Sequence, residues 1–238
     1  MAELNVIPIA RIELSFASDP WPFARQRRAE IDAHFAERRR KNPKLWNGQV
    51  LMLRDHAISG EVFRGTCFAV DYASFLAWHD WNFPDDSVSD CFAQGALRAA
   101  DGAFLLGVMA AHTANAGLIY FPSGTPDLDD VIGTSVDLDA NMRREIAEET
   151  GLDTAELVAA STWHTILDGP RIAHFKMFQA KENAETLRAR ILAHLARDPQ
   201  SELADIRIVR GPADLEPSTF PTTAAFVKYV WRRAAASA

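Results

Sequence analysis

Arg144-Glu145-Ile146-Ala147-Glu148-Glu149-Thr150-Gly151-Leu152 is the stretch on which the reading of this chain turns. Its glutamates stand at i, i+3 and i+4, so on a helix all three side chains leave one face. Left alone, like charges at that spacing weaken a helix by about 0.2–0.5 kcal/mol per pair. A divalent cation reverses the sign, because clustered hard oxygen ligands suit Mg²⁺ or Mn²⁺, and Mg²⁺ keeps waters and substrate phosphate oxygens in its shell. Ile146 and Leu152 are placed to face a core and hold the carboxylates outward, and Gly151 lets the chain turn away beneath them. A Glu-x-x-Glu-Glu triplet by itself is most often a solvated helix face. The whole string, with Arg, three Glu, Gly and two apolar positions at fixed spacing, arises by chance with probability on the order of 10⁻⁵ to 10⁻⁴. That rarity favours a site.

Outward from this segment, Asp137–Thr150 reads as a helix closed by Gly151. Before it, Phe92–Ala99 and Ala103–Met109 flank Asp101-Gly102, a tight-turn pair joining two strands, and Leu118–Phe121 is a third strand ended by Pro122. After it come strands near Glu156–Thr162 and Ile172–Ala180, a helix from Asn183 to Ala196, a short strand at Ile206–Val209 and a terminal helix over Thr222–Ala235. In the first part, Asp19-Pro20 predicts a helix start with a helix over 21–41, and Gln49–Arg54 and Gly65–Val70 have strand character. The turn-rich stretch Trp78–Asp90 suggests a boundary between a lobe at 1–90 and a domain at 91–238. Strands alternating with flanking helices predict an α/β (α+β) sandwich, a mixed sheet covered by helices.

The 238 residues are 48% hydrophobic and 24% charged, with 25 Lys and Arg against 32 Asp and Glu, a formal −7. The acidic balance gives no support for a nucleic-acid partner. No run of about 18 apolar residues offers a membrane span. The N-terminus lacks a basic start followed by an apolar core, as a signal peptide would have. Cys67 and Cys91 lack disulfide-framework and metal spacing, which fits a reduced, cytoplasmic compartment. His164 and His174 flank the turn Asp168-Gly169-Pro170 and are candidates either for a cleft or for the packed interior. Trp163 beside them is a base-stacking or core residue, and Ser123 lacks the setting of a nucleophile.

With these residues in view, the chain resembles the Nudix hydrolase family, whose box reads G-x5-E-x7-R-E-U-x-E-E-x-G-U with U apolar. Arg144 through Leu152 match the second half in full, and the first half departs. At the family spacing the leading glycine falls on Asp130 and the first glutamate on Val136. Phe121-Pro122-Ser123-Gly124 offers Gly124 as the glycine, with a loop six residues longer, and leaves Asp137 or Asp139 as stand-ins for the first glutamate.

The resemblance implies a Nudix fold and hydrolysis of a small-molecule nucleoside diphosphate linked to another moiety, such as a nucleotide sugar, coenzyme A, ADP-ribose or a dinucleotide. It implies Glu145, Glu148 and Glu149 as ligands of Mg²⁺ or Mn²⁺, with Glu148 central to catalysis and Arg144 orienting one glutamate. A further acid is expected downstream, with Glu202 the first candidate and Glu182 the second. Residues 1–90 are expected to shape the pocket or to build a homodimer interface, with Leu45 and Trp46 plugging a core or interface. The alternative is a module that kept the fold for nucleotide binding or regulation and lost catalysis.

Overall fold

The structure, a computed structural model, describes residues 4–236. Strands β1 (Val6–Ile9) and β2 (Arg11–Phe16) lead to helices α1 (Pro22–Gln26) and α2 (Arg28–Lys41). Strands β3 (Gln49–Ser59) and β4 (Val62–Asp71) follow, then helix α3 (Tyr72–Asp80). Next come β5 (Asp90–Arg98), β6 (Phe104–Met109), β7 (Ile119–Tyr120), β8 (Ser123–Gly124), β9 (Val131–Ile132) and β10 (Ser135–Val136). Helix α4 (Leu138–Thr150) precedes β11 (Val158–Asp168), β12 (Arg171–Gln179), α5 (Ala184–Leu195), β13 (Leu203–Val209) and α6 (Pro221–Ala236).

Two mixed sheets result. The larger runs β1-β11-β12-β5-β6-β13, with β8 paired to β5 and β7 to β6. The smaller runs β3-β4-β2-β10-β9. Strand β5 is buried on both faces, as expected for a strand covered by helices on each side. Cys91, Ala93 and Leu97 face the core that holds Met142 and Ile146 of α4, while Phe92 and Ala96 face the one that holds Phe226 of α6. Gly95 permits the tightest of these contacts, since a Cβ there would lie 2.4 Å from Ile146 Cδ1. A third cluster around Trp21, Ile31, Met52, Phe68 and Trp78 holds the N-terminal helices on the small sheet.

The α/β sandwich expected from the sequence is the fold observed. Helix α4 begins where its sequence says it should, with the Asp137 side chain accepting the Ala140 N–H at 2.9 Å, and ends on Gly151 at φ 68°. The N-terminal part differs in three respects. The helix over 21–41 is two helices, broken at Arg27 (φ −106°, ψ 21°), and the proline in its first turn is Pro22 rather than Pro20. Trp78 is not in a turn-rich boundary but lies fully buried in the last turn of α3, which runs to Asp80. Trp46 does not plug a core: it is 57% exposed and lies across Gly48.

The division at residue 90 is crossed in both directions. Strand β1 extends the large sheet beside β11, and the β9–β10 hairpin extends the small sheet beside β2. The additional residues before α4 are therefore ordered structure, tied also to β3 by the Leu51 N–H to Pro126 C=O bond at 2.7 Å. Among the described residues no helix is long and apolar enough to cross a membrane.

Candidate active site

Helix α4 places its three glutamates on one side of β8 in three different environments. Glu148 is exposed, Glu145 is half-buried and Glu149 is 6% exposed. Burial, then the neighbouring Glu148 charge, push the Glu145 carboxyl up to about 7, against the favourable pull of Arg144. Burial pushes Glu149 well above the carboxylate range, and Glu145 and Glu202 add to the effect, while the Ser123 backbone N–H donates to Glu149 and opposes it. Glu149 Oε2 is enclosed without a hydrogen-bond partner. A buried acceptor left in that state costs about 1–3 kcal/mol, so the arrangement calls for a counter-charge.

Gly124 makes this packing feasible. A Cβ at residue 124 would lie 2.2 Å from Glu145 Cδ and Oε1, the far end of a flexible side chain. Gly124→Ala is therefore expected to displace the Glu145 carboxylate while sparing the fold. A displacement near 1 Å at a catalytic group costs about a hundredfold in rate. Turnover and melting temperature measured on this variant should separate the two effects, and a wild-type rate would show that Glu145 needs no fixed position.

Arg144 does not hydrogen-bond a glutamate. Its guanidinium donates from both Nη atoms to Asp130, at 2.6 and 3.2 Å. Asp130 is 3% exposed and also accepts from Asn141 Nδ2 at 2.8 Å and the Asp127 N–H at 3.0 Å. Neither sequence candidate for the missing first glutamate reaches this point. Asp137 is the N-cap of α4, and Asp139 is held by Arg143 at 2.5 Å and Lys176 at 2.7 Å. Val136 is buried in β10, opposite Leu14.

Of the two downstream acids, Glu202 is exposed just before β13, and its charge acts on Glu145, Glu149 and Tyr120. Glu182 is turned away, paired with Arg190 at 3.0 Å. His174 is fully buried, bonded to Thr165 Oγ1 at 2.8 Å, and desolvation pulls it down to about 3. His164 packs on Phe226 and Tyr229, and Trp163, covered by Lys176, lines a separate pocket with Val136 and Asp139. Ser123 contributes its backbone rather than its hydroxyl.

A cavity of about 190 Å³ opens on the same β8 backbone, lined by Tyr120, Ser123 and Gly124. Its opposite wall is one face of α3, with Tyr72, Phe75, Leu76 and His79 at helical spacing. The sequence reading has no helix here, although the apolar run Tyr72–Trp78 carried the signal.

Among the described residues, no group of three or more His, Cys, Asp or Glu side chains is assembled to hold a metal ion. The donor chemistry nonetheless fits a hard cation. Glu149 Oε2 lacks a partner, burial and the Glu145 charge raise the Glu149 carboxyl, and a divalent ion relieves both conditions.

No protein-family model matches the chain and no curated protein is similar to it. Several solved structures are. A Nudix hydrolase from M. smegmatis, RenU, is 18% identical with a TM-score of 0.39, over 61% of this chain and 85% of that one. The MutT protein from Methanosarcina mazei Go1 is 18% identical, TM-score 0.41, over 62% and 95%. A bifunctional NMN adenylyltransferase/ADP ribose pyrophosphatase from Francisella tularensis, complexed with AMP and a Mn ion, is 13% identical, TM-score 0.41, over 67% and 45%. With the acidic half of the box intact on α4 and its first half replaced by a longer, structured segment, the chain resembles the Nudix hydrolases.

Proposed function

We propose that this chain is a Mg²⁺- or Mn²⁺-dependent hydrolase that cleaves the pyrophosphate bond of a nucleoside diphosphate linked to a second moiety. The observation that carries this reading is the pair Glu145–Glu149, one half-buried and one buried with an unpartnered oxygen, pressed on the β8 backbone that also lines the cavity. Glu145, Glu148 and Glu149 would hold the cation. A cation held there would neutralise charge on the phosphate oxygens and lower the pKa of a water. Glu202, exposed and felt by both inner glutamates, would accept the proton of that water. Arg144 acts through Asp130, fixing the segment before α4 to the helix that carries the carboxylates. The role proposed for the N-terminal lobe is to wall the pocket through α3.

Nucleotide sugars, coenzyme A, ADP-ribose and dinucleotides assayed with and without Mg²⁺, with products identified, test the reading. The expected result is metal-dependent release of two phosphate-terminated products from one class of substrate. Binding without cleavage of any of them would favour a non-catalytic nucleotide-binding module.

A further inference from the structure

Asp90, at the far end of the same cavity, has no part in the chemistry above. It is 8% exposed and lines the cavity, and its Oδ1 is enclosed without a hydrogen-bond partner. Arg171 stands beside it in the parallel β12–β5 register, held by His79 Nε2 at 3.2 Å and stacked over Phe83 at 4.6 Å. Residues 90, 92 and 94 alternate onto one face of β5, and all three line the cavity. Gln94 pairs with Ser123, next to the glutamates, so Asp90 lies four residues, about 13 Å, further from the carboxylates. Between the two ends the walls are flat and aromatic, from Phe92, Phe220, Tyr72 and Phe75. An aromatic-walled cavity with a buried acceptor at one end and, at the other, the β8 backbone on which the glutamates pack fits a nucleoside laid lengthwise, base toward Asp90.

We infer that Asp90 is a specificity-determining residue that reads the base of a guanine nucleotide in this cavity. A desolvated carboxylate needs a donor for each oxygen. Among the four common bases only guanine presents two N–H donors side by side, at N1 and N2, and its O6, next to N1, suits the Arg171 guanidinium that lines the cavity beside Asp90. The inference deepens the proposed hydrolase reading but is tested without hydrolysis. Equilibrium binding of GMP, IMP, AMP, UMP and CMP to the full chain, with and without Mg²⁺, is the measurement.

GMP should bind most tightly. IMP, which lacks only the N2 donor, should bind about tenfold or more weaker. Asp90→Asn and Asp90→Ala should each remove the preference for GMP over IMP. Equal affinities for GMP and IMP in the wild-type protein overturn the inference whether or not the variants fold, as does a preference that survives in a folded Asp90→Ala chain. An Asp90-dependent GMP preference in a chain that cleaves nothing would support this inference and reject the hydrolase.

Discussion

Glu149→Gln is expected to lower turnover by about 10³-fold while leaving the protein folded. The change removes one charged oxygen donor from a cation site, and a metal's stabilisation of phosphoryl charge is worth several kcal/mol, about 4 of which correspond to that factor. The buried carboxyl also has a stability signature. Glu145 is raised from 4.5 to about 7, and Glu149 is also raised, by burial and by its neighbours. An acid whose folded pKa is raised stabilises the fold fully below its unfolded pKa and loses that contribution as pH rises through the folded value. Without divalent cations, the melting temperature should therefore fall between about pH 4.5 and pH 7. The Glu149→Gln chain should fall less, because a neutral amide does not titrate. Steady-state rates with a pH series of thermal melts check both halves, and a variant that keeps wild-type turnover would remove Glu149 from the site.

Asp130→Ala should be the most destabilising single change near the site, by about 3 kcal/mol. Asp130 is buried, and three donors converge on its carboxylate: the Arg144 guanidinium, Asn141 Nδ2 and the Asp127 N–H. Removing one partner of a buried ion pair typically costs 3–5 kcal/mol. The half-exposed Arg144 regains water, which places the loss at the low end. At roughly 2–4 °C per kcal/mol for a chain of this size, the melting temperature should drop by about 6–12 °C. Turnover should fall as well, because Asp130 binds the β9–β10 segment to α4. A loss under about 1 kcal/mol in denaturant titration would mean that this pair is solvated and not structural.

What the sequence disclosed and what it concealed follow from the range of the interactions. Helix α4 was legible because its start, its acidic face and its stop are all written within fifteen residues. Asp137 caps one end, Gly151 turns the other, and the glutamates need only helical spacing to align. The β11–β12 hairpin was legible for the same reason, through Asp168-Gly169-Pro170. Asp130 was not, since its partner lies fourteen residues away across a β-hairpin of two-residue strands too short to leave a periodic trace. The parallel pairing of β2 with β4 and the addition of β1 to the edge of the large sheet depend on tertiary partners that no local pattern names. The cavity was concealed twice over. One wall is a helix from the first part of the chain, and the other is a strand whose polar residues, Asp90 and Gln94, resemble any interruption in an apolar run.

Titration of the chain with Mn²⁺ by calorimetry, at neutral pH in buffers of differing ionisation enthalpy, tests most directly whether the α4 carboxylates hold a cation. Because the Glu145 carboxyl is pushed up to about 7 and burial raises Glu149 as well, binding should release protons and the observed heat should vary with the buffer. The expected outcome is saturable binding with proton release in the wild type, and loss of both in Glu149→Gln. Heats indistinguishable from dilution in the wild-type protein, or binding untouched by the substitution, would contradict it.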